Sequence, residues 1–155
     1  MTETNASTNP LQINGNPRTL RRLFIGVSIY VVLGLISGLY YREMSKVAVI
    51  DEPTQLNTLH THLLALGVLL LSVILLMEAV FATSRRPIFR WVQPLFHAGV
   101  GLTAVMMTVR GTTDVLGNHI ESAAIPGIAG LGHMILSAAL VIWVISVWKC
   151  LPVRD

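Results

Sequence analysis

The chain has 155 residues, of which 53% are hydrophobic and only 12% charged. That charged share is about half the ~25% of a soluble globular chain and leaves room for a single membrane-embedded domain rather than a water-soluble catalytic one. The formal charge of +3 is carried by residues that flank apolar runs, so it is a membrane pattern and not a nucleic-acid footprint.

Residues 1–19 are polar and rich in Asn, Thr and Pro, and read as a disordered cytoplasmic tail. Four apolar runs follow, at 23–41, 59–82, 89–109 and 125–148. Each approaches the ~20 residues needed to cross a ~30 Å hydrocarbon core, and helix is the only spanning element their composition allows. The first run is longer than a signal-peptide core and has no small-residue cleavage site, so it is expected to stay as a span. Its Gly34 and Gly38 stand four apart, a spacing that lets helix backbones approach closely in lipid.

Asp51, Glu52 and Pro53 resemble a helix start, with acid and Pro in the first turn. Ser84-Arg85-Arg86-Pro87 is a tight basic turn that makes the second and third helices antiparallel neighbours. The third helix is expected to end near Arg110 and Gly111, leaving Asp114, His119 and Glu121 in a loop. Pro126 opens the fourth, and Pro152 follows its end. The expected fold is an all-α, integral membrane four-helix bundle over residues 20–150, with helices at about 20–44, 54–84, 88–110 and 126–149.

Eight Lys and Arg residues fall at the end that holds both termini and the 83–87 turn, and three (Arg42, Lys46, Arg110) at the other, together the chain's eleven. The positive-inside rule therefore places both termini in the cytoplasm. The lone Cys150 cannot form an internal disulfide.

Histidines interrupt this greasy pattern. A titratable side chain within a span costs free energy unless it is paired, ligated or facing water. From the helical rise, Arg42 stands about 30 Å above Arg22, Arg110 about 28 Å above Trp91, and His60 about 27 Å above Glu78. His133 stands about 22 Å above Trp148, and His97 only about 9 Å above Trp91. Arg42, Glu43, His60, His62, Arg110 and His133 are thus candidates to converge at the outer end of one bundle. His60 and His62 lie about 200° apart and cannot both face the axis.

Neutral imidazole is a good ligand for haem iron, copper or zinc, and bundle ligands project inward from facing helices. The expected cofactor site is b-type haem held by His60 (or His62) and His133, with Arg42 and Arg110 on its propionates. Two axial histidines leave no open position, which favours electron transfer or haem handling over oxygen chemistry. The alternatives are a hydrogen-bonded rim network with Glu43, a copper or zinc site on His60, His62 and His133, or a non-catalytic membrane subunit or transporter-like protein. The partners expected are the lipid bilayer and either a redox partner or a second copy, and no nucleic acid. Against Gly101, Ala104 and Thr108, His97 reads as a packing or interhelical hydrogen-bond residue rather than a ligand. Glu78 is expected to pair with Arg85, Arg86 or Arg90.

The strings Leu39-Tyr40-Tyr41-Arg42-Glu43, Leu59-His60-Thr61-His62-Leu63-Leu64-Ala65-Leu66-Gly67 and Gly127-Ile128-Ala129-Gly130-Leu131-Gly132-His133 together resemble a bacterial membrane family, the domain-of-unknown-function 2871 family. The likeness runs from Leu20 to Trp148. It implies four membrane helices in a bacterial cytoplasmic (inner) membrane and no particular activity. Leu59-His60-Thr61, ahead of a Gly-containing apolar helix, resembles the low-spin haem segment of haem–copper oxidase catalytic subunits. That likeness implies an axial role for His60. The chain departs from those enzymes in lacking their many helices, copper-site histidines and His–Tyr arrangement, so oxygen reduction is not implied.

Overall fold

Why residues this apolar fold at all is answered by what they leave uncovered. The structure, a computed structural model, describes residues 13–47, 54–118, 122 and 124–151. Among them are four helices long and apolar enough to span a membrane: α1 (Pro17–Val47), α2 (Gln55–Phe81), α3 (Val92–Val115, led in by the 3-10 turn Pro87–Trp91) and α4 (Ala124–Trp148). Only 17% of the most apolar window of α4 is covered by protein. Phe24, Leu35, Leu39, Leu69, Met134 and Val144 all point outward. In water such a surface would aggregate; against lipid it costs nothing, so packing and polar contacts decide how the helices meet.

Small residues set those meetings. The two largest interfaces join α1 to α2 and α3 to α4. A Cβ on Gly132 would lie 2.5 Å from Thr103 Oγ1 and 3.1 Å from both Gly99 O and Thr103 N. One on Gly99 would lie 2.7 Å from Leu136 N. The two backbones touch, with room only for Cα–H groups between them, a geometry that favours weak Cα–H···O contacts. Gly111 meets the backbone of Leu56 and so seats α3 on the start of α2. On α1 the buried line is Leu23, Gly26, Tyr30, Gly34 and Ser37, spaced three and four apart. Gly34 takes up the Leu64 side chain, so this glycine of the expected pair serves packing within the chain.

α2 is not uniform. It is α-helical over Gln55–His62, π-helical over Leu63–Leu70 and α-helical again over Leu71–Phe81. Its buried line of Leu59, Leu63, Gly67 and Leu71 steps by four. A regular α-helix would rotate such a line away from its neighbour, whereas the wider π turn keeps it on one face. Gly67 sits in the middle, where the Tyr30 ring occupies the space a side chain would need.

The basic end is closed by a buried acid. Glu78 is 0% exposed. Its Oε1 accepts from Asn16 N (3.0 Å) and Ser84 Oγ (2.5 Å), and its Oε2 from Thr83 Oγ1 (2.7 Å) and Ser84 N (2.7 Å). One carboxylate thus ties the start of α1 to the turn after α2. The expected pairing of Glu78 with an arginine is replaced by these four donors, because the turn brings backbone N–H and hydroxyl groups to it first. Asn14 completes the lock by donating from its backbone N to Ala79 O (2.9 Å) and from Nδ2 to Val80 O (3.1 Å). These are carbonyls that a helix end leaves without intrahelical partners.

Two expected boundaries move. Residues 13–16 are folded onto α2 and helix begins at Pro17, so the polar tail is shorter than 1–19. α3 continues past Arg110 to Val115, which makes Asp114 helical. Asp51, Glu52, Pro53, His119 and Glu121 lie outside the described residues.

Candidate functional site

At the end opposite the basic turn, the expected polar residues do not converge. Arg42 is exposed, and its neighbour Glu43 is paired with Lys46 (2.6 Å) on the same helix. Arg110 stands 3.9 Å from Asp114, one turn along its own helix. His60 is half-buried and faces α1 at Gly38. Its Nε2 is 3.3 Å from Thr61 Oγ1, and its Nδ1 is buried without a hydrogen-bond partner among the described residues. His62 is also half-buried.

His133 is exposed, and its Nδ1 is 2.9 Å from Ala129 O one turn back on α4. The outer part of α2 packs against α1 and α3, while α4 lies along α3 and meets α2 only toward the basic end. The paired-imidazole expectation is corrected on this point. His133 is exposed on α4, away from the outer part of α2, and so does not frame a hollow with His60. The donor set therefore does not fit a haem bound through both residues. Among the described residues no three His, Cys, Asp or Glu side chains stand close enough to hold a metal, so His60, His62 and His133 do not form a copper or zinc cluster.

A different polar constellation lies deeper, between α1 and α3. Tyr30 Oη and His97 Nδ1 are 3.1 Å apart and link the two helices. Their rings lie nearly parallel at 5.6 Å, and Phe96 meets both edge-on. Tyr40 Oη and Thr112 Oγ1, 3.0 Å apart, make a second link near the far end. Between and beside these links α1 and α3 barely touch. The gap is a groove in two stretches. One, of about 490 Å³, runs past Ser37, Leu59, Leu63 and Thr108; the other, of about 460 Å³, past Arg22, Gly26, Gln93 and His97. They adjoin at Tyr30, Leu33 and Gly101, which line both. Gly101 keeps the passage open, because nothing lies within 4 Å of where its Cβ would be.

His97 is the interhelical hydrogen-bond residue its small neighbours suggested. Its partner Tyr30 was not singled out from the sequence, although a signal existed. Tyr30 is about 12 Å above Arg22 and His97 about 9 Å above Trp91, which puts them at one depth. Tyr30 also lies midway between Gly26 and Gly34. Gln93, which lines the groove, gave no signal because a single amide near a helix start is ordinary.

Four spans, two tight glycine-mediated interfaces and a groove open along the side define a small multi-pass helical membrane protein. The chain belongs to the family described as "Protein of unknown function (DUF2871)", whose profile matches residues 20–150. No curated protein and no solved structure matches the chain, so the local likeness to haem–copper oxidase subunits gains no support there.

Proposed function

We propose that this is a non-catalytic membrane protein that holds the hydrocarbon part of an amphiphile in the groove between α1 and α3. The single observation that carries this reading is the groove itself. Its two adjoining stretches reach from Arg22 to Tyr40 and Thr108, are walled mainly by apolar side chains, and open sideways. Binding sites are concave and mostly apolar, with a few placed polar groups; here those groups are Tyr30, His97 and Gln93. Polar groups are few along it, and no carboxylate lines it among the described residues. The protein sits in a bacterial inner membrane with the basic end in the cytoplasm, as the distribution of Lys and Arg favours.

The test is retention of a bound molecule. Wild-type protein, purified and passed through a second detergent, should keep a hydrophobic molecule detectable by native mass spectrometry. Gly101→Trp, which fills the groove, should lose it. Gly130→Trp, at a glycine that also has open space but lies outside the groove, should keep it. Equal retention by both variants overturns the reading.

A further inference from the structure

The groove does not end in hydrocarbon. At the basic end it joins a second hollow, of about 340 Å³, lined by Thr19, Arg22, Ser84, Arg86, Arg90 and Gln93. Arg22 and Gln93 line both, so one molecule can occupy the two together. We propose that this hollow is the headgroup site of an anionic phospholipid whose acyl chain lies in the adjoining groove. The proposal rests on the groove reading above and adds the chemical class of the ligand.

Charge complementarity is the first argument. Among the described residues, three guanidinium groups line the hollow and no carboxylate does. Glu78, which bonds to the lining residue Ser84, is wholly buried and committed to four donors, two of them on Ser84. The first turn of α1 (Thr19) and the lead-in turn of α3 (Pro87) also line it, and helix starts favour negative charge. Arginine presents planar donors that match phosphate oxygens.

The second argument is an unspent donor. Gln93 Nε2 is buried and has no hydrogen-bond partner among the described residues. A buried amide N–H without an acceptor costs free energy. Gln93 lines both hollow and groove, so a turn of its side chain would present this donor at the depth of the ester oxygens of a lipid whose phosphate lies by the arginines.

The third argument is level and length. Trp91 and Trp148, both exposed, mark this end as the membrane–water interface. Arg90 lies 5.6 Å from the centre of the Trp91 ring, so its guanidinium is held at headgroup height. From Arg22 to Leu33 the groove runs about 16 Å along α1. That is one leaflet of a ~30 Å core, the span of a single acyl chain.

The test uses the full-length protein in a detergent micelle, with native mass spectrometry against added phosphatidylglycerol, diacylglycerol and inorganic phosphate. The variants are Arg22→Gln/Arg90→Gln and Gly101→Leu. All three arginines are exposed; Arg22 and Arg90 are changed, whereas Arg86 also donates to Lys149 O and is left in place. The wild type should bind phosphatidylglycerol in preference to diacylglycerol. The double variant should bind phosphatidylglycerol about tenfold more weakly with diacylglycerol unchanged, and Gly101→Leu should weaken both lipids. Equal binding of the two lipids by the wild type, or no change in the double variant, overturns the headgroup site and leaves the groove standing. If neither lipid binds, the groove reading falls with it. Displacement of phosphatidylglycerol by millimolar inorganic phosphate would assign the hollow to a soluble anion and overturn the lipid.

Discussion

Replacing Glu78 with Gln should loosen the basic end without removing any volume. Each carboxylate oxygen accepts one backbone N–H, from Asn16 on one side and Ser84 on the other. An amide has only one oxygen, so in either orientation its NH₂ faces a backbone N–H and leaves that group unbonded. The Thr83 and Ser84 hydroxyls can turn to accept from the amide; the backbone cannot. A stranded buried N–H costs about 1–3 kcal/mol. Asn16 is exposed and Ser84 only half-buried, so water recovers part of this, and a loss of about 1–2 kcal/mol is expected. Glu78→Ala strands both N–H groups and opens a cavity, and should cost at least about 1 kcal/mol more. The assay is reversible unfolding with sodium dodecyl sulfate in mixed micelles, followed by circular dichroism. A loss under about 0.5 kcal/mol for Glu78→Gln, the range of an ordinary surface change, would refute the account of this carboxylate as a shared cap.

Gly132→Ile should separate α3 from α4 and cost several kcal/mol in the same assay, because it meets the Thr103 hydroxyl and, behind it, the backbone of Gly99 and Thr103; Gly130→Ala, facing open space, should be neutral or gain up to about 1 kcal/mol. Tyr30→Phe removes the link to His97 and should cost about 0.5–1.5 kcal/mol; no loss would mean that the two rings are held by packing alone. His133→Ala should change stability by less than about 0.5 kcal/mol, since its ring bonds only within α4. Absorption spectra of purified wild type, His60→Ala and His133→Ala should show no Soret band that both substitutions abolish. Such a shared band would restore the bis-histidine haem site that the exposed His133 argues against.

The spans and their antiparallel order were legible because apolar run length and basic turns act locally, through lipid thickness and charge. The buried line on α1 was half legible in Gly34 and Gly38. What the sequence does not carry is which helix each face meets. The depth arithmetic that gathered His60 and His133 at one level was sound as arithmetic. It said nothing of azimuth, and α4 turns His133 away from the protein. The fate of Glu78 was hidden for a related reason, since its donors come from a turn and a strap whose paths are set by tertiary contact. The π-helical stretch left no mark beyond Gly67, because Leu63–Leu70 reads equally well as an ordinary apolar helix.

That stretch has a mechanical corollary. A segment bonded five residues back stores surplus chain relative to its flanks. Deleting one residue between 63 and 70 removes that surplus, so the rod can return to common winding while the parts on either side keep nearly their present faces. Adding one there has no such outlet and would swivel the far part by about 100°. Leu56 would then leave Gly111, and His60 would quit its place beside Gly38, while the Glu78 anchor stayed where it is. The second span therefore behaves as two rods joined by a sleeve that sheds a residue more readily than it takes one in.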